Sequence, residues 1–255
     1  MKIYVCVKHV PDSAATITVI DNTGIDENIT FLLNPYDENA LEEAVNIRSQ
    51  RPGSEVIAVT VGSADAAKTL QSALAMGADR AILVCCQTPP DSMLTARILK
   101  ATICMDGRPD LVLTGKVAID SVGYQTMFRL GTALQMPVIN CVTALSLTDQ
   151  HVTAECEAEG GGRMVVETTL PCVVGAAKAL NTPRYPTFPD IVKARKKDIC
   201  TIAVQDITVD PPRGRVELIG LRPAGQQRRG EVLCAEPLKA VKQLVQRLRE
   251  VERVI

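Results

Sequence analysis

The chain of 255 residues contains no tryptophan, and aromatic residues make up only 3% of it. A protein that grips single-stranded nucleic acid by stacking bases on aromatic rings is therefore not expected. There are two histidines, His9 and His151, with nothing resembling a catalytic triad around either. None of the nine cysteines is spaced C-x-x-C, so zinc ribbons and ordinary iron–sulfur ligation find no support. Cys85 and Cys86 stand together at a strand end and read as small apolar side chains. No stretch approaches the ~18 apolar residues of a membrane span. The opening Met1–Asp12 is too short in its apolar run for a signal peptide and reads as a strand. Thiols without a disulfide framework point to a cytoplasmic or similarly reducing setting. The net charge is −1, so no overall field draws the chain to nucleic acid or acidic lipid.

What is present is a core-forming composition, 46% hydrophobic and 22% charged. Charge is uneven: residues 1–177 hold 12 Lys/Arg against 20 Asp/Glu, whereas 178–255 hold 16 against 9. Either this is an ordinary solvated surface or the basic C-terminal part meets an acidic partner.

The first 145 residues alternate strand and helix signals. Ile3–Val7, Val56–Val61, Ala81–Cys85 and Leu111–Thr114 are short apolar runs of the kind buried on both faces of a parallel sheet. Asn34-Pro35 opens a helix, with Asn34 as a cap and Pro35 in the first turn. Asp37 with Glu38, and Glu42 with Glu43, read as solvated helix charges. Further helices are expected from Ala67 to Gly77, Ser92 to Met105 and Tyr124 to Leu134. The order implies an α/β, Rossmann-like three-layer domain, with ligands at the carboxyl ends of its strands. The loops after Val7, Val61 and Thr114 are the candidates. From Leu145 the pattern shifts to a small antiparallel section: Leu145–Leu147, Val152–Cys156 and Met164–Thr168. Residues 201–236 are extended and broken by Pro211, Pro212 and Pro223. A C-terminal amphipathic helix, Pro237–Val254, follows and completes an extended arm.

Two places could hold a phosphate. Val61-Gly62-Ser63-Ala64 ends a strand and starts a helix, and Gly115-Lys116 opens a polar loop that leads through Asp120, Ser121, Tyr124, Gln125 and Thr126 into the next helix. The second could equally be a plainly capped helix. No nucleophile, paired carboxylates or metal set is evident, which tilts the reading away from an enzyme.

The run from Asn181 to Lys197, NTPRYPTFPDIVKARKK, resembles the signature of electron transfer flavoprotein β subunits. Ala73–Arg80 (ALAMGADR), Asn34–Glu38, Gly115–Asp120 and Val5–Lys8 are similar to other stretches of that family, in the same order along nearly the whole chain. The resemblance implies an electron-carrying subunit, not itself an enzyme, paired with an α subunit that holds most of the FAD. It implies an adenine-nucleotide-binding α/β domain over residues 1–200, with a partner-recognition loop at 178–197, and an arm over 201–255 that wraps the α subunit. It places AMP or a second FAD among Cys6, Asn34, Pro35, Tyr36, Asp37, Val61, Gly115, Lys116, Val117, Ala118, Ile119, Asp120, Ser121, Val122, Gly123, Tyr124, Gln125 and Thr126. It sets Tyr36 near the flavin of the α subunit. It makes Leu180 an exposed apolar anchor for an acyl-CoA dehydrogenase-type flavoenzyme, where the plain reading of the residue is a partly buried loop leucine.

The loop Ala118–Met127 fits AMP-binding members without gaps, keeping Gln125 and Thr126, but it has two fewer acids and carries Tyr124 for an asparagine. Residues 213–255, including Gly230-Glu231-Val232, are more similar to the long arm of members that bifurcate electrons. Both nucleotides therefore stay open. Two other classes share an adenine-binding α/β core. A stand-alone nucleotide sensor would not need residues 178–255, and an ATP-pyrophosphatase relative wants a phosphate-grasping loop that Lys8–Asp12 does not supply.

Overall fold

Apolar residues on alternate positions of the early strands face two different helical layers, and this builds the fold. The computed structural model describes residues 1–211, 213–223, 230 and 232–254. Its strands are β1 Lys2–Cys6, β2 His9–Pro11, β3 Val19–Ile20, β4 Gly24–Ile25, β5 Phe31–Leu33, β6 Glu55–Gly62, β7 Arg80–Cys85, β8 Leu111–Gly115, β9 Val138–Thr148, β10 His151–Glu157, β11 Arg163–Thr169, β12 Cys172–Ala176 and β13 Ile199–Ala203. The α-helices are α1 Pro35–Gln50, α2 Ala67–Met76, α3 Ser92–Asp106, α4 Thr126–Leu134, α5 Phe188–Ala194 and α6 Pro237–Glu250. A nine-stranded sheet runs in the order β11-β10-β9-β12-β8-β1-β6-β7-β13. It is parallel from β9 to β13, and β10 and β11 add an antiparallel edge. Ile3 and Val5 of β1 pack with α1 and α2, whereas Tyr4 packs with α3 and α4. The three-layer α/β reading holds.

Three local expectations change. β9 begins at Val138, and its first half pairs in parallel with β12 before the strand turns to the antiparallel edge. Cys141, in the left-handed region (φ 58°), interrupts the apolar alternation there and hides the strand from a pattern reading. The small ladders β2–β5 and β3–β4 lie in a polar stretch without strand periodicity. β13 pairs with β7, so the main sheet continues past residue 200.

The amino ends of the strands carry an ion network. Arg80 bonds Glu55 through Nε (2.7 Å) and Asp106 through Nη1 and Nη2 (2.7 and 2.6 Å), and Tyr4 Oη donates to Asp106 at 2.5 Å. The neighbouring Asp79 accepts the Val56 N–H at 2.8 Å and pairs with Arg48. The ALAMGADR stretch is thus structural. Gly77 ends α2 at φ +127°, a conformation that glycine tolerates. Arg80→Ala should lower stability by roughly 2 kcal/mol, since it strands two part-buried carboxylates. These bonds hold the Asp106 carboxyl below its ordinary pKa, so its share of stability is present at neutral pH and fades on acidification. Urea titration at pH 7 checks the first point, and wild-type stability in the variant would refute it.

The arm leaves β13 and crosses α3. Ile207 is buried with Val84 and Ile98. Asp91 then receives the backbone N–H groups of Arg215 (2.6 Å) and Val216 (3.1 Å), and the Leu221 N–H meets the Asn22 carbonyl. Pro212 and Glu231 lie outside the described residues. α6 has no buried residue: its apolar face carries Leu238 at 82%, Val241 at 58% and Leu244 at 47% exposure. Among the described residues no helix is long and apolar enough to cross a membrane.

Candidate functional site

The sheet reverses its order of addition between β1 and β8, and an open α/β sheet receives its ligand at this switch point, at the carboxyl ends of the strands. The first turn of α1 is wedged in there. Asp37 Oδ2 accepts the N–H of Lys8, just past β1, at 2.8 Å, and Oδ1 accepts the N–H of Gly115, at the end of β8, at 2.9 Å. One carboxylate therefore ties both strand ends together. It is 5% exposed, and burial raises its pKa to about 7 against the opposing pull of its hydrogen bonds and of the Lys8 charge. The expectation of a solvated helix charge fails for Asp37, and likewise for Glu42, 7% exposed. A helical wheel shows only where a side chain leaves the helix, not that a distant strand end lies there.

Asn34 occupies the cap position, but its side chain makes no capping bond. It reaches across instead, donating to the Val117 carbonyl (3.0 Å) and accepting the Ile119 N–H (3.1 Å). The expected cap is thus a clamp on the loop after β8, because the loop's free backbone groups are within reach and the helix dipole is already met by acids. Gly115 is required by closeness: a Cβ there would lie 2.5 Å from Asp37 Oδ1 and 2.6 Å from Tyr36 Cβ.

The rest of the predicted set forms the walls. The Cys6 thiol ends β1, and burial pushes its pKa up, with Asp37 adding to the effect. It is an unionised wall group and no nucleophile. Pro35 is exposed and Tyr36 half-buried, with Lys116 Nζ 5.4 Å from the Tyr36 ring centre. Lys116 also pairs with Glu157 at 2.8 Å. Val117, Ala118 and Ile119 are half-buried, and Asp120, Ser121, Val122, Gly123, Tyr124 and Gln125 are exposed. Val122 (φ 48°) and Tyr124 (φ 53°) are held in the left-handed region, a costly arrangement for a β-branched residue. Gln125 precedes α4 without a side-chain cap, so the first-turn N–H groups from Thr126 onward remain available to an anion. The helix expected from Tyr124 starts two residues later. Val61 lies one strand away, at the end of β6. Lys8 was missed: besides its backbone bond, its Nζ pairs with Asp120 at 2.6 Å. A lysine just past the first strand, at a switch point, was the available signal.

Leu180 falls elsewhere. It is half-buried and packs against the core, because it sits on a short 3-10 turn leaning on α1. The most exposed large apolar side chains of this segment are Tyr185 (95%) and Phe188 (78%). Beside the loop, α1, α2 and α5 border a cleft of about 1090 Å³ that includes Tyr36, Lys68, Arg184 and Tyr185. It shares only Pro35, Tyr36 and Ile119 with the predicted nucleotide set. Among the described residues no cluster of His, Cys, Asp and Glu could hold a metal.

The uncapped start of α4 and the polar side chains of residues 120–126 suit a phosphate-bearing ligand. Comparison with known proteins supplies further facts. A family model described as an electron transfer flavoprotein domain matches residues 23–207. The chain is 34% identical to electron transfer flavoprotein subunit beta of Bacillus subtilis, covering all of both chains. It is 35% identical to the human protein of the same name, over 100% of this chain and 99% of that one. It is 36% identical to the caffeyl-CoA reductase-Etf complex subunit CarD of Acetobacterium woodii, over 83% of this chain and 81% of that protein.

Proposed function

The chain belongs to the electron transfer flavoprotein family, and from that premise we propose that it is the β subunit of a heterodimeric electron carrier, transforming no substrate itself. The observation that carries the reading is the sheet's switch point between β1 and β8, with the polar loop that leads from it into α4. The floor there is locked by Asp37 and Asn34, and at the rim α4 starts without a side-chain cap.

In this reading an FAD shared with the α subunit supplies the electron chemistry. This chain's residues bind, orient and exclude water. The α4 N-terminus with Ser121, Gln125 and Thr126 meets a nucleotide phosphate. Asp37, with both oxygens already occupied by backbone N–H groups, positions the site and does not touch the ligand. Tyr36 offers a flat ring at the rim for packing against the shared flavin. The nucleotide at the switch point is AMP or a second FAD, and the latter would accompany electron bifurcation. Residues 201–255 are the arm that wraps the α subunit, a role supported by the exposed apolar face of α6. The 178–197 segment meets an acyl-CoA dehydrogenase-type flavoenzyme, with Tyr185 and Phe188 outward and Leu180 at its base.

The test is to purify the chain with its α subunit and measure flavin and adenine nucleotide per heterodimer. One flavin with one AMP assigns a structural nucleotide here, and two flavins assign a second working site. A complex without flavin absorbance would end the proposal.

A further inference from the structure

We infer that Asn39, Glu42 and Arg184 are positioning residues: they latch the 181–187 segment onto α1 and so hold it in docking-ready shape before any partner arrives. The inference rests on the reading of this segment as the surface that meets a dehydrogenase.

The segment cannot hold itself. It has no helix or strand, and Pro183 and Pro186 have no N–H to give. α1 supplies the hold through side chains. Asn39 Nδ2 donates to the Asn181 carbonyl (2.9 Å) and to its Oδ1 (3.1 Å), and Asn181 Nδ2 returns a bond to the Asn39 carbonyl (3.0 Å). Asn181 Nδ2 also donates to Glu43 Oε2 at 3.0 Å. Arg184 grips Glu42 with Nε at 2.7 Å and Nη2 at 2.8 Å, and its backbone N–H adds a third bond at 3.1 Å.

Two features set this apart from a surface ion pair. Asn39 and Glu42 are 3% and 7% exposed, so their polar groups have been taken from water and are met chiefly by the loop. The two contacts also bracket Thr182-Pro183, so these two residues are fixed at both ends. The consequence is the outward presentation of Tyr185, which follows directly, and of Phe188 beyond the second proline. Downstream, a capping box between Thr187 and Asp190 starts α5, whose end is tied to α2 by Gln71 and the Ala194 carbonyl at 2.7 Å. A loop fixed in advance loses little freedom on binding. A loop released from the latch is competent for only part of the time, and its apparent affinity falls by that fraction.

The experiment uses the full heterodimer with its cofactors. Glu42→Gln should speed amide exchange at residues 181–187 about tenfold and raise KM for an acyl-CoA dehydrogenase about tenfold, with kcat and flavin content near wild type. Arg184→Lys keeps the charge but loses the planar fork, and should fall between the two. Its side chain is 44% exposed, so this variant folds even where Glu42→Gln does not. Unchanged exchange in both variants overturns the latch. Faster exchange with an unmoved KM overturns the docking-ready role. A wild-type heterodimer that takes no electrons from any such dehydrogenase sinks the functional reading instead, while the exchange measurement still decides the latch.

Discussion

Gly115→Ala should lower the unfolding free energy by roughly 3 kcal/mol and, under the proposed function, abolish nucleotide binding by the heterodimer at this strand end. The added methyl would stand 2.5 Å from Asp37 Oδ1, 2.6 Å from Tyr36 Cβ and 2.7 Å from the Tyr36 carbonyl carbon. The last of these is backbone, so no rotamer change relieves the contact. The first turn of α1 must move off the end of β8. Overpacking of this kind costs roughly 1–3 kcal/mol. Moving the turn also stretches the Gly115 N–H bond to Asp37, and an unsatisfied buried donor adds roughly 1–3 kcal/mol. Asn34, next to that turn, would lose its hold on the loop leading into α4. Urea unfolding and nucleotide content of the purified heterodimer are the measurements. A variant with wild-type values in both would show that the wedge of α1 does not build the site.

Asp37→Asn tests the same place by chemistry and not by bulk. Two oxygens of Asp37 receive two N–H donors, one beyond each of two strands. An amide of the same shape has one acceptor, so its NH2 must face an N–H. A protonated carboxyl has the same shortage, so the variant should match wild type where Asp37 holds its proton and depart from it where the carboxylate is ionised. The dependence on pH is the sharper readout. The folded-state pKa is raised from 3.8 to about 7, mainly by burial. Between those values the native state holds a proton that the unfolded state has released. The contribution of Asp37 is therefore fully present below the ordinary carboxylate range and is lost as pH rises through about 7. Wild-type stability should decline over that interval more steeply than that of Asp37→Asn. Parallel slopes from pH 4 to pH 8 would show that the carboxylate is ionised throughout.

The parallel sheet was legible in short apolar runs separated by helices, and the candidate loops after Val7, Val61 and Thr114 follow from it, since such a sheet presents its carboxyl-end loops on one side. The electron-carrier identity was legible in motifs, chiefly the run from Asn181 to Lys197, and the family match agrees with it. Motifs did not reveal what their residues do. Arg80 belongs to a stretch shared with the family, yet it braces the far end of the sheet. Leu180 reads as an exposed anchor in a line of sequence, but in the fold it packs inward while Tyr185 points out.

The sequence by itself determined the layers and the main order of strands and helices, because both depend on residues near one another in the chain. Only the tertiary structure decided which polar side chains are buried and what they hold. Asp37 meets Gly115 across 78 positions, and Glu42 meets Arg184 across 142. A charge on a helix looks solvated until folding brings a backbone N–H or a guanidinium to it, and the energy of that pairing depends on the water displaced from both.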